Sequence, residues 1–162
     1  MYKIKLSILL LISFFLVSCA NSNLQSDQKT QYAIDYITGG YDGLVLKKLL
    51  QANLKGFLLF NPDSDKIIQS RIDHQTEIFI TNIDNTSDRE RVSTNLKVDI
   101  FDKKNDCFIA TFNEDVSQFF IYASNEKFLS NESALESIKY DNTEELVKTF
   151  INSLKNIEHF CK

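Results

Sequence analysis

The sequence is poor in the residues that build flexible, repetitive or metal-binding segments. Its 162 residues include four glycines, one proline, two histidines and no tryptophan, but thirteen phenylalanines. So few glycines and prolines exclude a low-complexity chain and favour an aromatic core on regular elements. The cysteines and histidines lack Cys-x-x-Cys or His-x-x-x-His spacing, so we expect no metal site and place His74 and His159 on the surface.

The spacings that mark common catalytic sites are also missing. The chain contains no Gly-x-Ser-x-Gly, no glycine-rich phosphate loop and no His-Glu-x-x-His. Glu114 and Asp115 are adjacent carboxylates, but in a predicted turn or bulge such groups are more often solvated than catalytic. We therefore expect no enzymatic activity and no cofactor.

Long apolar runs are absent except at the N-terminus. Lys3 and Lys5 precede a run from Leu6 to Val17 that is apolar apart from two serines. This run is too short to cross a hydrocarbon core of about 30 Å, which takes about 20 residues, and instead predicts a signal peptide. Because Leu16-Val17-Ser18-Cys19 ends the run in the layout of a lipobox, residues 1–18 are the predicted signal and Cys19 the lipidation site.

Lipidation at Cys19 would fix the location of the protein. Two or three acyl chains make an effectively permanent anchor, whereas one chain binds a bilayer only marginally. Ala20 follows the cysteine in place of aspartate, which by analogy with the enterobacterial sorting pattern favours the outer membrane, on its periplasmic face. The alternatives are a plain secretory signal and an uncleaved anchor.

The remainder reads as a tether and one folded domain. Residues 19–31 contain the lipidated cysteine and a polar segment, and residues 32–162 have the size of a single domain. Two of the 18 basic residues lie in the signal, and all 22 acidic residues lie outside it. Removal of the signal therefore leaves a net charge of −6. This balance predicts no nucleic-acid partner. Cys107 and Cys161 form either one periplasmic disulfide or two free thiols.

Periodicity predicts the first strand and the first helix. Tyr32, Ile34 and Tyr36 alternate with other residues as in a strand, which Thr38-Gly39-Gly40 ends. Asp42 is a candidate helix cap and Gly56 a candidate helix end. Apolar residues recur between them at helical spacing: Leu46, Leu49, Leu50 and Leu54.

The middle of the chain predicts strands joined by polar turns. Phe57–Phe60 reads as a short strand or edge segment, and Glu77–Ile83 as a strand of a hairpin. The strict alternation of Val92–Ile100 is typical of a sheet with one solvated face. Cys107–Tyr122 reads as a long strand, bulged at Asn113-Glu114-Asp115.

The C-terminal part reads as helix. Ser133 with Glu136, and Asn142 with Glu145, fit two capping boxes, which leaves either two helices or one with a break near Tyr140-Asp141. An apolar stripe covers one face of the last helix: Leu146, Val147, Phe150, Ile151, Leu154 and Ile157. The predicted fold is α+β, in β-α-β-β-β-α order, with two helices packed on one face of a mostly antiparallel four-stranded sheet.

Three segments of the chain resemble the lipopolysaccharide-assembly lipoprotein family, whose members are called LptE. The first is Ile34-Asp35-Tyr36-Ile37 with the helix Gly43–Leu54, and the second is Arg89–Val98. The third and most specific is Ser117–Tyr122, leading through Asn125 and Asn131-Glu132 into the last helices. The resemblance implies a non-enzymatic plug in the outer-membrane β-barrel LptD that helps receive lipopolysaccharide and insert it into the outer leaflet.

The same resemblance implies where the glycolipid phosphates would be held. The family uses basic residues in one hairpin loop and just before the C-terminal helices, for which the nearest matches are Arg89 and Arg91 in the Asn85–Arg91 loop and Lys127. Guanidinium groups suit phosphate because they bind it bidentately. Acidic Asp88 and Glu90 interleave with the arginines, so the alternative is a solvated loop whose charges pair locally.

A second function fits the same features. Accessory lipoproteins that bind a peptidoglycan synthase or an envelope transporter also need a tether and a compact binding face, and need no catalytic group. The sequence does not separate the two.

Overall fold

The computed structural model describes residues 30–80, 88–121 and 128–157, together with Cys161. It contains four strands and two helices in the predicted β-α-β-β-β-α order. The second helix is followed by a single 3-10 turn, Leu154–Asn156. The elements are β1 Ala33–Thr38, α1 Gly40–Gly56, β2 Lys66–Ile80, β3 Asp88–Asp102, β4 Cys107–Ile121 and α2 Phe128–Ser153.

The strands form one sheet in the order β1-β2-β3-β4. β2 pairs with β3 from Lys66 opposite Asp102 to Ile80 opposite Asp88, and β3 pairs with β4, both antiparallel. β1 runs parallel to β2, since α1 carries the chain back across the sheet between them. The sheet is therefore mixed, with three of its four strands antiparallel as predicted.

The sheet has two ends that differ in their cover. We call the end where Gln31 leads into β1, beside Lys66 and Cys107, the near end, and the end at Ile80 and Ile121 the far end. β1 reaches only to Thr38, opposite Arg71, so it borders the near half alone. α1 returns from there to the near end, whereas α2 runs the length of the sheet.

The alternation predicted for β3 is confirmed. Leu96 and Val98 are fully buried, and Lys97 between them is exposed. The buried positions of β3 face the helices because both helices pack on this one side of the sheet. The other side carries the polar set of β3 and is open.

Both predicted helical stripes are buried against the sheet. Leu46, Leu50 and Leu54 of α1 have no exposed surface. In α2 Phe150 is also fully buried, and its ring meets that of Phe112 edge-on at a centroid distance of 5.4 Å. These side chains and the strand residues beneath them form one hydrophobic core.

A glycine makes the tight turn from β1 into α1 possible. Gly39 has a φ of 127°, a conformation that other residues rarely adopt. A Cβ atom at this position would also lie 2.9 Å from the carbonyl oxygen of Ile72. The backbone thus approaches β2 more closely than a side chain would allow. The residue before the helix is therefore Gly39, and Asp42, which was predicted as the cap, lies inside the first turn of α1.

Two predicted strand features are wrong. Phe57 and Leu58 form a turn after α1, and Phe60 makes only an isolated bridge with Tyr32. The β3–β4 register continues unbroken through Asn113-Glu114-Asp115 and shifts instead between Ile100 and Phe101. This bulge accommodates Ile109, which is fully buried.

α2 is one continuous helix of 26 residues, so the two capping boxes do not mark helix starts. Asn142 is completely buried in the middle of this helix. Its side chain reaches the sheet rather than the helix backbone, as described below. Neither helix of the described residues is both long enough and apolar enough to cross a membrane.

A disulfide joins the C-terminus to the sheet. Cys161 bonds Cys107, the first residue of β4, with 5.6 Å between the two Cα atoms. Of the two alternatives left by the sequence, the structure has the bridge. Beside it, Asp102 accepts hydrogen bonds from the backbone and side chain of Asn105, which lower the pKa of its carboxyl group and fix the β3–β4 turn.

Candidate functional site

The two predicted arginines lie in a strand and not in a loop. β3 begins at Asp88, so Arg89 and Arg91 are among its first residues. Both point to the open side of the sheet. The interleaved Glu90 faces the opposite side and is 9% exposed. The loop prediction is wrong because charged residues at the end of a long hairpin pair across strands just as apolar ones do.

Arg91 is held by a cross-strand ion pair. It lies opposite Glu77 of β2, and its Nη2 atom is 2.5 Å from Oε2 of that carboxylate. The arginine side chain is 36% exposed, so one edge of the guanidinium group remains at the surface. Local pairing with an acid is therefore observed for this residue, and the acid is Glu77 of β2.

Arg89 has a different environment. It is exposed, and among the described residues no carboxylate lies within ion-pair distance of it. It stands two residues from Arg91, hence on the same side of the strand. The structure thus brings two of the three predicted cations together, and within the described residues Arg91 alone of the two has an ion pair.

Apolar side chains lie next to these cations. Phe119 of β4 is opposite Arg91 and Ile121 is opposite Arg89, and they are 59% and 71% exposed. Residues of this kind are usually buried, so their exposure beside arginines makes an amphiphilic patch. We call Arg89, Arg91, Phe119 and Ile121 the far-end patch. It combines two cations with an exposed apolar surface.

Two predicted site residues fall outside the described part of the chain. Lys127 immediately precedes α2 in the sequence, and Cys19 lies in the N-terminal segment before Thr30. Their roles as a phosphate ligand and as the lipidation site stay predictions. His159 also lies outside the described residues.

A buried polar network lies under the far half of the sheet. Asn142 donates from Nδ2 to the carbonyl oxygen of Val92 at 3.2 Å and to Oγ1 of Thr94 at 3.1 Å. Its Oδ1 accepts a hydrogen bond of 2.8 Å from Nε2 of Gln118. One helix residue therefore bonds β3 and β4 at once, which fixes the position of α2 along the sheet.

His74 extends this network to β2 and was wrongly expected on the surface. Its side chain is 6% exposed, and Nδ1 lies 2.8 Å from Oγ1 of Thr94. Burial lowers the pKa of His74, an effect that the carboxylate of Asp42, 3.9 Å from Nε2, partly opposes. Burial of the ring thus disfavours its charged form.

Sequence signals for both residues existed. Asn142 precedes Leu146, Phe150 and Leu154 at steps of four, so it lies on the buried stripe of α2. His74 likewise continues the buried alternation of Ile72 in β2. A polar residue at a buried position is the informative observation, because it requires a partner.

A small polar cleft opens above His74 between the helices. It has a volume of about 170 Å³ and is bordered by Asp42, Glu136, Lys139 and Tyr140. Lys139 and Glu136 pair at 2.9 Å, and Thr94 beneath is fully buried. Thr94 is inaccessible, and its hydroxyl already bonds His74 and Asn142, so the pair of Thr94 and His74 is not an exposed nucleophile with its base.

The sequence matches no protein-family profile. It matches no curated protein either. Solved structures do resemble it. A minor lipoprotein from Acinetobacter baumannii superposes with a TM-score of 0.61 at 10% identity, over 83% of this chain and 98% of that one. Rare lipoprotein B from Shewanella oneidensis gives a TM-score of 0.55 at 8% identity, over 78% and 98%. A candidate lipoprotein from Caulobacter crescentus gives 0.54 at 15% identity, over 76% and 88%.

The domain therefore has a fold found in bacterial lipoproteins. At these identities the likeness establishes the fold, and the function has to be argued from the residues of this chain.

Proposed function

We propose that this chain is a lipid-anchored outer-membrane protein that forms a plug-and-barrel complex with an LptD-type β-barrel and helps insert lipopolysaccharide into the outer leaflet. The observation that carries this proposal is the far-end patch. A glycolipid offers phosphates and acyl chains together, and the patch offers Arg89 and Arg91 beside exposed Phe119 and Ile121. The fold shared with bacterial lipoproteins and the lipobox at Cys19 support the anchored location.

The polarity of the open sheet face is consistent with a place in a barrel. The lumen of a large barrel is lined by polar residues, so a plug needs a polar exterior. Polar pairs cover this face, including Thr111 of β4 with Asp99 of β3 at 2.6 Å and, within β3, Lys97 with Asp99 at 3.3 Å. In this role the protein binds and positions, and the proposal includes no catalytic step, cofactor or nucleic-acid partner.

Affinity purification from a detergent-solubilised envelope tests the partner. We expect a large outer-membrane β-barrel to co-purify with the tagged chain. Recovery of a peptidoglycan synthase or an envelope transporter in its place would favour the accessory role and contradict the plug-and-barrel complex.

A test of Arg89 and Arg91 as phosphate ligands requires a variant that keeps the ion pair between positions 91 and 77. We expect Arg89→Glu, combined with the exchange Arg91→Glu and Glu77→Arg, to weaken binding of purified lipopolysaccharide while keeping the cross-strand pair. Arg71→Glu is the control, since Arg71 is an exposed arginine on the same sheet face in the near half. Wild-type binding should also weaken with added salt, because salt screens exposed charges. Equal binding by both variants would remove the far-end patch from the proposal.

A further inference from the structure

The turn after α1 holds a large apolar side chain in an unusual conformation. Leu58 has a φ of 60°, which is uncommon for a residue with a branched side chain. The side chain is 73% exposed, and that of Phe57 beside it is 44% exposed. The fold keeps two apolar residues at the surface at a position where glycine would suit the backbone better.

Two lysines flank this turn. The Nζ atom of Lys155 lies 6.0 Å from the centroid of the Phe57 ring, and that of Lys55 lies 5.2 Å from the centroid of the Phe60 ring. Within residues 30–80, 88–121 and 128–157, neither ammonium group has a carboxylate within ion-pair distance. These two ammonium groups therefore place positive charge beside the turn on a protein whose net charge is negative.

The chain enters the fold beside this turn. Gln31 accepts a hydrogen bond at its carbonyl oxygen from Oγ of Ser64 at 2.6 Å, and the next residue, Tyr32, donates its N–H to the carbonyl of Leu59 at 2.8 Å. Thr30 lines an apolar cleft of about 200 Å³ together with Phe57, Leu59 and Lys155. A membrane anchor in the segment before Thr30 would therefore join the domain beside this turn.

We propose that the Phe57-Leu58 turn, with Lys55 and Lys155, is a membrane-contact site that docks the near end of the domain on a bilayer surface with anionic headgroups. Leu58 and Phe57 would enter the boundary between headgroups and acyl chains, and the two ammonium groups would meet lipid phosphates. In the cell this docking rests on the proposed anchor at Cys19, which raises the local concentration of lipid around a weak site.

Vesicle co-sedimentation tests the contact without the anchor or any barrel. The mature chain with Cys19→Ser is mixed with vesicles of phosphatidylethanolamine and phosphatidylglycerol, or with vesicles of phosphatidylcholine alone. We expect partitioning to the first and about thirtyfold weaker partitioning to the second, since two basic residues near an anionic surface contribute about fivefold each. No partitioning to the anionic vesicles, or equal partitioning to both, would overturn the proposal.

Matched variants locate the site. Leu58→Gly should reduce partitioning by about tenfold, because it removes a buried leucine side chain from the bound state, and it should preserve the fold because glycine accepts this φ. Leu44→Ala is the control, since Leu44 is 66% exposed near the other end of α1. Lys55→Gln with Lys155→Gln should weaken partitioning, whereas Lys47→Gln with Lys48→Gln should not. Equal losses in test and control variants would overturn the assignment. A failed barrel co-purification would leave these outcomes unchanged, so this proposal and the proposed function fail separately.

Discussion

The two halves of the sheet are held to the helices by different forces. In the near half, Leu50 of α1 and Phe150 of α2 bury their side chains on Ile68 and its neighbours, and a disulfide closes the edge. In the far half α2 packs on β3 and β4, and Asn142 bonds both of these strands. Apolar burial is large but non-directional, whereas a satisfied polar network contributes less free energy and fixes a position. The near half thus contributes most of the free energy of unfolding. The hydrogen bonds of the far half fix α2 on β3, the strand that carries Arg89 and Arg91.

The largest expected effect is in the near half. Phe150→Ala should lower the free energy of unfolding by about 3–5 kcal/mol, since it removes a fully buried ring that packs on Phe112. Chemical denaturation measures this loss. The control is Lys97→Ala, on the open face, which should stay within about 0.5 kcal/mol of wild type. Similar losses in the two variants would mean that the core is placed wrongly.

The second effect is local to the far half. Asn142→Ala should cost about 1–3 kcal/mol because it leaves Gln118 and the Val92 carbonyl without their buried partner. Hydrogen exchange should speed up in the first half of α2 and remain slow around Phe150. Asn152→Ala, an exposed position on the same helix, serves as the control. If exchange rose equally along the whole of α2, the two halves would not be held independently.

The smallest effect depends on pH. Burial lowers the pKa of His74 below its ordinary value of 6.5, so the unfolded chain takes up a proton at a higher pH than the folded chain does. The free energy of unfolding should therefore be highest above pH 6.5 and fall as the pH drops from there toward the folded-state pKa.

Chemical denaturation at a series of pH values measures this fall, and His74→Gln should reduce it. Asp42, Glu136 and Lys139 also face the ring and are left intact in this variant. If the wild-type free energy of unfolding did not change between neutral and mildly acidic pH, burial would not lower the pKa of His74.

The near half was predictable from the sequence because its order is periodic. The alternation of Val92–Ile100 and the stripes of α1 and α2 follow from which residues avoid water, and local spacing expresses that preference directly. The disulfide was one of two alternatives, since pairing depends on the distance between two residues 54 positions apart.

The far half was less predictable because its contacts join distant residues. Asn142 bonds Val92, 50 positions away, and its spacing to Glu145 imitated a helix cap. Arg89 and Arg91 read as loop residues because they are charged, although a long hairpin extends through them. In the near half the exception is the turn of Phe57 and Leu58, which read as a strand because they are apolar, although the backbone turns there. The residue types at these positions depend on their contacts with distant parts of the chain, and those contacts are seen only in the folded structure.

The length of the β2–β3 hairpin has a consequence for distance. Each strand has 15 residues, which at the usual rise spans about 50 Å from the near end to the far end. The hydrocarbon core of a bilayer is only about 30 Å thick. If, as proposed, the domain sits in a barrel with its near end at the inner rim and its strands along the barrel axis, Arg89 would lie past the midplane, at the level of the opposite leaflet. The length of the hairpin would then set the depth at which this arginine meets a phosphate.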